Sequence, residues 1–209
     1  MKATEQVVYL VDDDGRVRDA LSELLASMNI EHFTFGSAEE YLAFVRSDVC
    51  GCLVLDVHLP ELSGLDLQHR LASAPSPPIV FISGRGDVPS TVRAIKAGAI
   101  EFLTKPIDPD ALLRAIRAAF AEDLEKKKKW AELTSLQDRL ALLTPREKEV
   151  LPLVVSGMLN KQAANLLGIS EVTLQVHRGQ IMRKMEAGSF ADLVRMAEKL
   201  GIRLPDEAL

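Results

Sequence analysis

Five short runs constrain this chain more than any other feature: "QVVYLV" (Gln6–Val11), "EHFTF" (Glu31–Phe35), "CLVLD" (Cys52–Asp56), "PIVFIS" (Pro78–Ser83) and "AIEFL" (Ala99–Leu103). Each is brief, apolar and rich in β-branched or aromatic residues, which is how strands read. Between them the apolar residues switch to helical spacing, as at Val17, Ala20, Leu21, Leu24 and Leu25. Strands alternating with helices predict an α/β domain, a doubly wound five-stranded parallel sheet. Sites in such sheets gather beyond the carboxyl ends of the strands. The runs at Val7–Val11 and Cys52–Asp56 are the most uniformly apolar and are expected at the sheet centre, buried on both faces. Ser37 with Glu40 predicts a capping box before one helix. Asp108 followed by Pro109 predicts an N-cap and first-turn proline before another.

The back half reads differently. From Asp110 the pattern stays helical to Leu143, roughly 50 Å of helix if continuous, at ~1.5 Å per residue. Leu112, Leu113, Ile116 and Phe120 are expected on the sheet. After "EKKKKW", Leu133, Leu136, Leu140 and Leu143 follow at 3-4-3 spacing. That suits either a solvated interdomain helix or a short seam that pairs with its copy once two chains are brought together. Thr144, Pro145 and Glu147 then restart the chain as N-cap, first-position proline and third-position glutamate. Helices are predicted near Arg146–Val155, Lys161–Leu167, Glu171–Met185 and Ser189–Leu200, with Gly157, Gly168 and Gly188 at the breaks. The organisation expected is a domain over 1–125, a helical linker over 126–143 and an all-α domain over 144–209.

Residues 1–120 hold 11 Lys and Arg against 17 Asp and Glu, whereas residues 144–204 hold 9 against 6. An acidic front and a mildly basic back suggest cations as partners for one and nucleic acid for the other. No apolar run reaches the ~18–20 residues of a membrane span, and "MKATEQ" lacks a charged-then-apolar leader, so the cytoplasm is the expected compartment and no membrane partner is expected. Cys50 and Cys52 have no companions for a metal site and are expected to be buried and reduced.

The chemistry lies in polar residues at the strand ends. In "GCLVLDVHLPELSGLDL" a carboxylate, Asp56, ends what looks like a buried strand, and a lone buried charge is costly. Asp12, Asp13 and Asp14 end the first strand, so in a parallel sheet these acids meet at one edge. Clustered carboxylates persist most easily around a hard cation, and Mg²⁺ fits. Ser83 ends the fourth strand and Lys105 follows the fifth, adding a hydroxyl and an ammonium. Together they make a site for a phosphoryl group, with one Asp56 oxygen left free for transfer. Asp14 is expected to cap the first helix.

"VVYLVDDD", "LVLDVHLPELSGLDL", "VFISGRGDV" and "AGAIEFLTKP" resemble the receiver domain of two-component response regulators over roughly residues 4–125, a flavodoxin-like fold. The resemblance implies that Asp56 accepts phosphate from a sensor histidine kinase. It implies that Asp13, Asp56 and the main-chain carbonyl of His58 bind Mg²⁺ with Asp12 assisting, and that Ser83 and Lys105 hold the phosphoryl oxygens. Ser83 and Phe102 stand where the family places its switch residues, and His58 and Arg85 flank the site. A haloacid-dehalogenase-like phosphatase is the rival, with Asp12 as nucleophile, but Arg16 occupies the position where that motif wants Thr or Val.

"LTPREKEVLPLVVSGMLNKQAANLLGISEVTLQVHRGQIMRKM" has the short helix, glycine turn and longer helix of a helix-turn-helix. Ala163, Ala164, Leu166 and Leu167 are expected to pack one side. Ser170 caps the next helix, where Leu174, Val176, Ile181 and Met185 are expected mostly inward. Glu171, Gln175, Arg178, Gly179, Met182 and Arg183 are expected outward, with Lys161, Arg178, Arg183 and Lys184 meeting phosphates. The segment resembles the LuxR/NarL-type DNA-binding domain over about residues 140–204, and with the receiver the FixJ-like response regulators. That resemblance implies Gln175, Val176 and Gly179 face bases, with Thr173, His177 and Lys184 near the backbone. Relatives often carry lysine where Gln175 stands. The function expected is a phosphorylation-activated transcription regulator that binds double-stranded promoter DNA, dimerises on phosphorylation and has RNA polymerase as a further partner, rather than an enzyme. The alternative is a regulator that works without phosphate, its receiver serving only dimerisation.

Overall fold

The computed structural model describes residues 6–45, 48–72, 76–84 and 88–202, and the chain divides into two compact units, Met1–Lys127 and Lys128–Leu209. In the first, β1 (Gln6–Val11), β2 (Glu31–Phe35), β3 (Cys50–Asp56), β4 (Ile79–Ser83) and β5 (Glu101–Thr104) form one parallel sheet in the order β2-β1-β3-β4-β5. β3 lies at the centre with every residue buried, and β1 beside it is buried at every residue but Gln6. Both were expected there from their unbroken apolar character, because a parallel strand covered on both faces has no side to leave polar.

Successive side chains leave opposite faces of a strand, and two cores result. Tyr9, Leu53, Leu55 and Phe81 point toward α2 (Ala38–Ala43), α3 (Gly64–Leu71) and α4 (Val88–Lys96), meeting Tyr41, Leu67 and Ala94. Val8, Leu10, Val54 and Ile82 point toward α1 (Gly15–Ser27) and α5 (Pro109–Ala141), meeting Leu21, Leu25, Leu112, Ile116 and Phe120. At the amino end of β3, the Asp123 carboxylate of α5 accepts the Gly51 amide at 2.9 Å and fixes helix to strand. Cys50 and Cys52 are both buried thiols. Burial, with the Asp123 charge as a lesser cause, pushes the Cys52 thiol upward, which leaves it an inert packing residue.

The local signals hold with one change. Asp14 caps α1 by accepting the Arg16 amide, and an Asp108 carboxylate oxygen accepts the Asp110 amide at the start of α5. Ser37 caps α2 by accepting the Glu40 amide, but the Glu40 carboxylate closes on the Gly36 amide at 2.7 Å, one residue before the reciprocal position expected.

The second unit contains α6 (Pro145–Val155), α7 (Asn160–Leu166), α8 (Glu171–Lys184) and α9 (Phe190–Lys199) around Val150, Leu151, Ala163, Leu174, Ile181, Met185 and Leu193. The Thr144–Glu147 capping box opens α6 as expected. Gly157 and Gly168 take positive φ at the first two breaks, but at the third the left-handed residue is Glu186, not Gly188. Leu140 and Leu143 pack into this unit's core. Arg139 bonds the Met185 carbonyl at 3.2 Å and pairs with Glu186 at 2.9 Å, and Glu132 pairs with Lys199. The leucine row expected either to stand in solvent or to meet a second copy therefore has its last two members in the core of its own unit. Among the described residues no helix is long and apolar enough to cross a membrane.

Candidate functional site

β1 pairs with β3 with Val11 opposite Leu55, so Asp12, just past the end of β1, and Asp56, the last residue of β3, emerge at one edge. Asp12 is fully buried and Asp56 nearly so, while Asp13 is exposed. All three place a carboxylate oxygen within 4.8 Å of the others. Lys105 reaches in from beyond β5, and its Nζ donates to Asp12 Oδ2 and to Asp56 Oδ2, each at 2.6 Å. The Lys105 amide donates to the Ser83 carbonyl at 2.8 Å, which fastens this loop to the end of β4. The long lysine side chain spans from the end of β5 to the ends of β1 and β3.

Burial raises the Asp12 pKa above the ordinary value and Asp56 adds repulsion, while the Lys105 bond and the Asp14 amide, at 2.9 Å on Oδ1, oppose them. For Lys105, burial pulls downward, but its bonds to Asp12 and Asp56 prevail and its pKa stands above the ordinary lysine value. The cluster thus holds three carboxylates against one ammonium, an oxygen-only donor set that suits a hard divalent cation rather than a soft one.

Each Asp56 oxygen carries a hydrogen bond, Oδ2 from Lys105 and Oδ1 from the His58 amide at 2.9 Å, so neither is free in the sense expected. Each keeps a further lone pair. Asp12, the nucleophile of the phosphatase alternative, is fully buried with both oxygens engaged. Ser83 is buried, with Oγ 3.3 Å from His58 Nδ1. His58, singled out for its carbonyl, thus also brings its ring to the site. Phe102 is half-buried, its ring centroid 6.2 Å from that of Phe81. Arg85 lies outside the described residues.

Gly64 carries a requirement that the sequence reading quoted but gave no role. A Cβ there would fall 2.2 Å from the Asp56 carbonyl oxygen. Its amide donates to the Val57 carbonyl at 3.0 Å, drawing the start of α3 against the acidic strand end. Arg18 was likewise missed: its guanidinium donates to the Asp12 carbonyl at 2.6 Å.

In the second unit α7, a turn at Gly168 and α8 form the expected helix-turn-helix, with Ser170 capping α8 through the Thr173 amide. Leu174, Ile181 and Met185 are fully buried. Val176, expected inward from spacing, is 58% exposed and lies with Thr173, Gln175, Gly179 and Arg183 on the open face. Leu166, also expected to pack, is 58% exposed, whereas Met182 is partly buried against the core rather than outward. Lys161 is exposed and His177 half-buried. Lys184 does not stand open, since its Nζ pairs with the buried Glu147 carboxylate at 2.7 Å. Burial raises the Glu147 pKa, but Lys184 and Thr144 outweigh it, and the carboxyl sits below the ordinary range. Arg178 is half-buried and bonds Asn160.

Residues 8–117 match the response regulator receiver domain family, and residues 141–197 match the bacterial regulatory proteins of the luxR family. The chain is 47% identical over 201 residues to the response regulator protein TmoT of Ectopseudomonas mendocina, covering 96% of this chain and 91% of that protein. It is 37% identical over 200 residues to the transcriptional regulatory protein FixJ of Bradyrhizobium diazoefficiens, covering 95% and 98%. The solved structure of the response regulator StyR superposes with a TM-score of 0.80 at 45% identity, covering 93% of this chain and 99% of that one.

Proposed function

This chain belongs to the two-component response regulators that join a receiver to a LuxR-type DNA-binding domain, and on that premise we propose that Asp56 is its phosphoryl acceptor. An Asp56 carboxylate oxygen attacks the phosphorus of a phosphohistidine on the kinase. The P–N bond breaks, the imidazole leaves with the bonding pair and takes a proton, and an acyl phosphate remains. The observation that carries this reading is the Lys105 ammonium held 2.6 Å from both the Asp12 and Asp56 carboxylates at the strand edge.

Asp13, Asp56 and the His58 carbonyl, with Asp12 assisting, would hold Mg²⁺, which supplies neutralising charge for the incoming phosphoryl oxygens. Lys105 then shifts from the carboxylates to a phosphoryl oxygen, and the Ser83 hydroxyl leaves the His58 ring to donate to another. The inward turn of Ser83 lets Phe102 follow, and the altered face supports dimerisation. In the second unit Gln175, Val176 and Gly179 meet base edges, while Lys161, Thr173, His177 and Arg183 lie along phosphates. Two such modules on one dimer read paired half-sites, with RNA polymerase as the further contact in the cytoplasm.

The test is labelling with a small-molecule phosphodonor, with and without Mg²⁺, read by intact mass. Wild type should gain one phosphoryl group only with Mg²⁺, and Asp56→Asn should gain none. Label on Asp12, or undiminished label in Asp56→Asn, overturns the assignment.

A further inference from the structure

Arg178 sits on α8 four residues after Leu174, three before Ile181 and seven before Met185, all of them fully buried. At helical spacing that puts its stem on the packed side of the helix, unlike exposed Arg183. Its guanidinium reaches the first residue of each neighbouring helix. Nη1 donates to Asn160 Oδ1 of α7, and the guanidinium carbon lies 5.2 Å from the centroid of the Phe190 ring of α9. A planar guanidinium can donate along its edge and stack on its face at once, which an ammonium cannot.

We propose that Arg178 is a positioning residue that clamps α8 between the first residues of α7 and α9 and makes no phosphate contact. This rests on the reading of the second unit as the DNA-binding one. The clamp fixes the angle between α7 and α8, and that angle decides which α8 side chains enter a groove. Asn160 and Phe190 then act on DNA binding only through Arg178.

The two roles predict opposite salt behaviour. With the full chain and a fluorescent random-sequence duplex, binding is followed by anisotropy across a salt series. A clamp predicts that Arg178→Ala weakens binding roughly tenfold with the slope of log affinity against log salt unchanged, and that Arg178→Lys does not rescue it. A phosphate contact predicts a slope shallower by about 0.9 and substantial rescue by lysine; either result overturns the clamp. Asn160→Ala and Phe190→Leu should each weaken binding a few-fold in wild type and leave it unchanged in an Arg178→Ala background, whereas Phe190→Tyr keeps the ring and the affinity. Equal losses in both backgrounds overturn the proposal. Circular dichroism at the assay temperature establishes folding. If Arg178→Ala does not fold, the Phe190→Leu and Phe190→Tyr pair decides: loss in the first alone supports the clamp, and equal behaviour overturns it. Wild-type protein that does not bind the duplex overturns the DNA reading itself, a failure distinct from a clamp that fails while wild type binds.

Discussion

Replacing Lys105 by alanine leaves the buried Asp12 and Asp56 carboxylates facing each other without their cation. At 2.6 Å each contact carries about 6 kcal/mol of attraction at an effective dielectric of about 20, most of it offset by the burial of the charges themselves. Truncating one partner of a buried pair has a net cost of about 3–5 kcal/mol. The Lys105 side chain is 21% exposed, so solvent screening sets the loss near the lower end, about 3 kcal/mol. For a unit of this size that lowers the melting temperature by roughly 10 °C. Mg²⁺ at about a hundred times the variant's dissociation constant would return about 2.7 kcal/mol to the variant, whereas in wild type the same concentration must act against the ammonium and should return less. Calorimetric scans of both proteins across a Mg²⁺ series measure the difference. A variant that melts within about 2 °C of wild type without metal, or responds to Mg²⁺ no more strongly, refutes the electrostatic account of this site.

Three further outcomes are expected. Gly64→Ala forces a Cβ to 2.2 Å from the Asp56 carbonyl, so thermal unfolding should show a loss of about 1–3 kcal/mol and phosphodonor labelling of Asp56 should slow. Glu147 has a folded pKa below its ordinary 4.5, so its stabilising contribution is complete above that value and is lost as pH falls through the folded one. Acid titration of the second unit's melting should show that loss, and Lys184→Met should start lower at neutral pH and lose less on acidification. Gln175→Lys adds a cation to the exposed face of α8, so the salt dependence of DNA binding should steepen by up to about 0.9, and an unchanged slope would place this face of α8 away from the DNA.

The receiver half was legible because its signals are local and agree with one another. An unbroken apolar run such as Cys52–Asp56 can only be covered on both faces, and a parallel sheet sends every strand's polar end to one edge. That was enough to bring Asp12, Asp13, Asp56 and Lys105 together. Gly64 escaped because its need is a close approach to a backbone atom, which no periodicity reports. In the second unit periodicity misled at Val176 and Leu166, which are apolar yet exposed, as residues on a surface reserved for a partner can be. The leucine row before Leu143 escaped for a different reason: 3-4-3 spacing is the same whether the facing surface is a second chain or the domain that follows. The partners of Lys184 and Arg178 were not legible either, because charge alone does not tell an open cation from one that also pairs with Glu147 or bonds Asn160.

The docking of Leu140 and Leu143 into the core around Leu151 and Met185 bears on where this protein can be cut. An excised DNA-binding fragment beginning at Thr144, where the capping box invites a boundary, would omit buried Leu143, contributing about 1.5–3 kcal/mol, together with partly buried Leu140, and would strand Glu186 and Lys199 without Arg139 and Glu132. The smallest autonomous piece should start upstream, near Lys128, so that it takes with it the last turns of a helix whose first turns cover the sheet.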